Sequence, residues 1–128
     1  MGATQVTVAV VNTADPRRRW EGLFLVDTGS IDCYVPGNRL REIGIQPAGQ
    51  RTYELADGTE VALDVAAAQI EFMGEVVGAT VIFGQDDAEP LLGVTALESV
   101  GIEVDPQNQR LKRLPAVRLK RLSASRHE

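Results

Sequence analysis

The sequence predicts an all-β domain, a small closed β-barrel with one short helix near its C-terminal end. Three observations carry that reading. Short apolar runs recur at close spacing along the chain. Turn residues punctuate them, with 12 Gly and 6 Pro in 128 residues. Only Val94–Val100, stopped by Gly101, has convincing helical character. The length suits one domain, and 44% hydrophobic residues can supply its core. A single cysteine, Cys33, excludes an internal disulfide.

Taken in order, Gln5–Val10 alternates with the period of a half-buried strand. Asn12-Thr13-Ala14-Asp15-Pro16 is a turn cluster, and Arg17–Arg19 an exposed basic bend. Trp20–Val26 reads as a second strand, broken by Asp27-Thr28-Gly29-Ser30. Cys33–Val35 resumes extended structure until Pro36-Gly37, and Asn38–Ile43 allows a short helix. Thr52–Leu55 and Glu60–Val65 flank Ala56-Asp57-Gly58-Thr59, a hairpin signal centred on Asp-Gly. Ala66–Phe72 and Glu75–Phe83 form a further strand pair turning at Met73-Gly74. Leu91-Leu92-Gly93 precedes the helix, and Ile102–Val104 with Arg110–Leu114 make a last hairpin. The expected domain covers 1–115, with a basic tail over 116–128 that is expected to be flexible.

Charge narrows the function classes. Residues 1–109 hold 6 Lys+Arg against 17 Asp+Glu, a balance of −11, while 110–128 hold 7 against 1, a balance of +6. An acidic body disfavours nucleic acid, because phosphate binding needs a basic face. No apolar run approaches the roughly 20 residues of a membrane-spanning helix, so no membrane association is expected. The first residues lack a basic region and an apolar core, so a cytoplasmic location is the expectation. No cofactor is expected either. One cysteine and one histidine, His127 in the tail, make a zinc site or a histidine-based nucleophile untenable. The glycines never form a phosphate-binding fingerprint.

Leu23-Phe24-Leu25-Val26-Asp27-Thr28-Gly29-Ser30 is the informative stretch. A carboxylate ending an apolar strand is costly unless hydrogen bonded. Thr28 and Ser30 offer hydroxyl donors, and Gly29 allows close backbone approach. Taken alone, a polar turn capping a strand explains these residues equally well.

The wider pattern resembles the retropepsin-like aspartic proteases, single-domain relatives of pepsin. Leu25-Val26-Asp27-Thr28-Gly29 matches their apolar strand entering Asp-Thr-Gly. Tyr53–Val61 matches the flap hairpin, and Leu91-Leu92-Gly93 before Val94–Val100 matches two apolar residues and Gly ahead of a helix. The match covers roughly residues 5–105. It implies a barrel of the retropepsin (acid protease) type and an endopeptidase in which two aspartates share a proton and activate water. Asp27 is then the catalytic carboxylate, Thr28 bonds across the dimer, and Gly29 bonds substrate backbone. Ser30, Asp32, Leu92 and the tip residues Ala56, Asp57, Gly58 and Thr59 are placed against substrate, with Ser30 also expected to donate to the Asp27 carboxylate. One Asp-Thr-Gly in so short a chain requires a homodimer, acting on a peptide or protein. The alternative is a module that keeps fold and dimer but binds peptide without cleaving it, a reading favoured by a short flap with Asp57 at its tip.

Two departures from the retroviral pattern carry expectations of their own. An ion pair there is replaced here by Ile31 and Val94, expected to make an apolar contact instead. The chain also continues past the helix, so the dimer interface is expected to include Ile102–Leu114.

Overall fold

The computed structural model describes residues 3–117 and 119, so most of the basic tail, with His127, lies outside the described residues. Strand β1 (Gln5–Val11) pairs antiparallel with β2 (Arg19–Asp27) in the register Gln5↔Leu25 to Val11↔Arg19. Asn12 closes the connection, its side-chain oxygen accepting from the backbone N–H groups of Ala14 and Asp15. Such an Asx turn is why a turn cluster was legible here.

β2 then runs parallel to β7 (Leu91–Gly93), with Asp27 opposite Gly93. β3 (Cys33–Pro36) meets β7 through Tyr34↔Leu91 and runs parallel to β6 (Glu75–Gly84). β6 pairs antiparallel with β5 (Glu60–Phe72), and β5 returns to β1 through Ala9↔Glu71 to Val11↔Gln69. The order β1-β2-β7-β3-β6-β5-β1 closes a six-stranded barrel, leaving β4 (Gly49–Glu54) as an edge strand on β5 alone. Closure removes the unpaired edges an open sheet would present.

Alternation supplies the core. Ala66, Ala68, Ile70 and Phe72 on β5 are buried, as are Val81 and Phe83 on β6. They meet Val8, Val10, Phe24, Val35 and Leu92 in one cluster. Burying each large aliphatic or aromatic side chain contributes about 1.5–3 kcal/mol. Met73 (φ 52°) and Gly74 (φ 77°) both adopt left-handed backbone, the requirement of a two-residue turn matched to strand twist.

Two expectations need correction. Among the described residues there are two helices, α1 (Gly37–Glu42) and α2 (Val94–Ser99), and not one. α1 holds because Leu40 is fully buried on the barrel while Arg41 lies over the Phe83 ring. Glu60–Val65 and Ala66–Phe72 are one 13-residue strand, because no turn residue separates them. Its first half pairs with β4 and its second half with β6.

The C-terminal hairpin pairs β8 (Ile102–Asp105) with β9 (Arg110–Arg113). Ile102 is 2% exposed in the subunit's own core, with Val104 and Leu111 packed against that core. Arg113 reaches Glu75 and the Met73 carbonyl of the same chain. The apolar positions of this hairpin, Ile102, Val104 and Leu111, are thus covered by the chain's own core. The β9 sequence Arg110-Leu111-Lys112-Arg113-Leu114 recurs at 118–122, a repeat the sequence reading overlooked. No helix among the described residues is long and apolar enough to cross a membrane.

Candidate functional site

The site begins where β2 ends. Parallel pairing carries Asp27 alongside Gly93, and the two chain segments cross immediately beyond. The Val94 N–H donates to the Ser30 carbonyl at 2.8 Å, and the Thr95 N–H to the Ile31 carbonyl at 3.3 Å. Gly93 makes the crossing feasible: a Cβ there would lie 2.5 Å from the Asp32 carbonyl oxygen, closer than real contacts allow. This is the physical content of glycine after two apolar residues.

The loop folds around the Asp27 carboxylate. Its Oδ1 accepts from the Gly29 N–H at 3.0 Å, and its backbone carbonyl accepts from the Ser30 N–H at 3.1 Å. Asp27 is half-buried, and Thr28 and Gly29 are exposed at the apex of the turn. Beside them opens a cleft of about 580 Å³, roofed by the β4–β5 hairpin. Asp27, Gly29, Ser30 and Ile31 line one side; Thr52, Tyr53, Glu54, Leu55 and Ala56 line the other, with Leu63 and Ile82 between. A carboxylate thus lines a cleft whose wall also includes Ile31, Leu55, Leu63 and Ile82 and whose volume falls in the range of ligand pockets.

The hairpin tip is exposed, as expected. The Leu55 N–H donates to the Thr59 carbonyl at 2.7 Å and the Gly58 N–H to the Leu55 carbonyl at 2.9 Å. Gly58 sits at φ 86°, which explains Asp-Gly at this turn. Asp57 Oδ1 accepts from the Thr59 N–H at 2.9 Å, and this bond holds the Asp57 carboxyl below its ordinary range. Of the tip residues only Ala56 reaches the cleft wall; Asp57, Gly58 and Thr59 lie beyond it.

Several assigned residues stand elsewhere. Leu92 is fully buried and cannot touch a ligand, because β7 alternation points it into the barrel. The Ser30 hydroxyl donates to the Asp32 carbonyl at 2.8 Å and not to Asp27. Asp32 is only 8% exposed and does not line the cleft. Its Oδ2 accepts from the Tyr53 hydroxyl at 2.6 Å and from Arg51 Nη1 at 2.9 Å. Ile31 comes near Val94 through the backbone crossing, yet its side chain is 60% exposed on the cleft wall, so it forms no buried substitute for an ion pair.

The sequence reading noted Tyr53 on the flap but not its partner, and missed Arg51 altogether. Arg51 and Tyr53 are two apart on β4, the spacing that puts both on one face of a strand. That spacing was the available signal; the carboxylate they share lies 19 residues from Arg51 in sequence and only the fold brings it there. Burial and the bond to Asp32 push the Tyr53 phenol up to about 12, against the lowering effect of Arg51. Asp32 in turn raises the Arg51 guanidinium. Burial pushes the Cys33 thiol up to about 11, so it is a packed core residue with little thiolate. A scan against protein-family profiles and a search of curated proteins both find no match to this chain.

Proposed function

We propose that the chain is a retropepsin-like aspartic endopeptidase, active as a homodimer in which each subunit contributes Asp27. The observation that carries this reading is the position of Asp27, at the end of a barrel strand, in the wall of a cleft roofed by a hairpin. The crossing of its loop with Leu91-Leu92-Gly93 supports the same reading, since it fixes the carboxylate on two hydrogen-bonded segments.

The chemistry follows from pairing two such carboxylates across a two-fold axis. Like charges in contact cannot both ionise, so the pair holds one proton. The ionised member takes a proton from a water as that water attacks the peptide carbonyl, and the protonated member donates to the carbonyl oxygen. Collapse of the tetrahedral intermediate passes a proton to the departing amine. In this reading Thr28, exposed in the turn, bonds the partner loop, and exposed Ile31 and Leu55 offer apolar wall to a substrate side chain.

Asp27→Asn keeps shape and removes the acid–base function. It is expected to abolish cleavage of a peptide library between mildly acid and neutral pH, while the dimer stays intact or tightens as like-charge repulsion is relieved. Equal cleavage by both proteins would exclude Asp27 as the catalytic group. A properly dimeric wild-type protein that cleaves at no pH would favour a peptide-binding module with the same cleft.

A further inference from the structure

We propose that Asp32 is a positioning residue that latches the root of the cleft-covering hairpin to the loop carrying Asp27. β4 is the edge strand of the sheet and is hydrogen bonded along its length to β5 alone. Edge strands with one partner open most readily. Among the described residues, the one side-chain hydrogen-bond tie from β4 to the loop following Asp27 is the Asp32 carboxylate, which receives both the Tyr53 hydroxyl and Arg51. The Asp32 carboxylate is buried while Arg51 is half exposed, so the charge-assisted bond from the Tyr53 hydroxyl is the better shielded of the two.

Asp32 is suited to this because its own backbone is tied on several sides. Its carbonyl accepts the Ser30 hydroxyl and lies directly against Gly93, while Val94 and Thr95 bond the two preceding carbonyls. The latch therefore refers the hairpin to the same crossing that fixes Asp27. It also divides the hairpin. Arg51–Tyr53 is the held root, and the segment from Leu55 to Thr59, beyond the tie and bonded mainly to itself, is the part free to lift. A lid hinged next to Glu54 opens a few residues without moving the cleft wall at Tyr53.

The mechanical claim stands apart from proteolysis; its kinetic consequence rests on the proposed activity. Hydrogen exchange is measured on the full chain for wild type, Asp32→Asn and Tyr53→Phe. Both variants are expected to speed exchange of the β4–β5 ladder amides about tenfold or more, the loss of a charge-assisted bond, while Leu23–Val26 exchange as in wild type. If Asp32→Asn fails to fold, Tyr53→Phe, which removes only a hydroxyl, decides. Peptide cleavage by the folded variants should show an about tenfold rise in KM with kcat nearly kept. Unchanged ladder exchange in the folded variants overturns the latch, whatever happens to cleavage, while a loss confined to kcat overturns the positioning role in catalysis and leaves the mechanical tie standing. Wild type that never cleaves while the ladder responds overturns the proteolytic reading and leaves the latch standing.

Discussion

Asp27 and Asp32 lie five residues apart and have opposite surroundings. Asp27 is half-buried with one backbone N–H on its Oδ1 and a cleft before it; Asp32 is enclosed and engaged by Arg51 and Tyr53. A sequence shows two carboxylates near a turn, and only the strand that folds over them separates their roles. The position of Asp27 at the end of β2 was legible because its local pattern, apolar strand into Asp-Thr-Gly, is itself the signal. Asp32 was misread as a substrate contact because its partners come from a distant strand. Leu92 was misread because a resemblance says which residues come near a site, whereas alternation decides which way they point. Gly93→Ala tests the crossing: the added Cβ meets backbone that cannot turn aside, so urea unfolding should show a loss of about 1–3 kcal/mol.

Tyr53 gives the residue scale a pH signature. Its folded phenol ionises at about 12, above the ordinary value of about 10. A raised folded pKa means the native state holds the proton more tightly than the unfolded chain. The stability from this bond is therefore fully present below pH about 10 and is lost as pH rises through about 12. Replacing Asp32 by Asn removes the charge that opposes ionisation and leaves Arg51 to favour it. An ultraviolet titration of the native protein, with Tyr53→Phe to assign the signal, should find the Tyr53 transition lower in Asp32→Asn than in wild type. An unmoved transition would mean that Asp32 does not govern the phenol.

At the scale of elements, strand placement was largely readable, since period-two burial and turn residues are local properties. β5 was split in two because its change of partners, from β4 to β6, leaves no mark in the residues themselves. The β8–β9 hairpin was legible as an element, but not what its apolar face packs on. Its alternating apolar residues were evident, but whether they face a partner or the chain's own barrel depends on where the hairpin folds back. Ile102 lies in the core cluster with Leu92 and Leu97. Ile102→Ala should therefore cost about 2–5 kcal/mol of subunit stability in urea unfolding. A variant that unfolds like wild type but dissociates more readily would return Ile102 to the interface.

The whole molecule is an acidic barrel in which a cleft joins a carboxylate loop to a hairpin. Barrel closure was predictable from many short strands, but its order, with β7 inserted between β2 and β3, was not, because parallel pairing across distant segments has no local code. That insertion is what brings Gly93 beside Asp27. A single subunit offers one Asp27, and the proposed chemistry needs two, so the account depends on how two copies meet. The most direct measurement is the separation of the two Asp27 carboxylates in an experimentally determined structure of the assembled protein. The account predicts a two-fold dimer in which these carboxylates lie within hydrogen-bonding distance across a shared cleft. A dimer that holds them apart, or a protein that remains monomeric at high concentration, would contradict it.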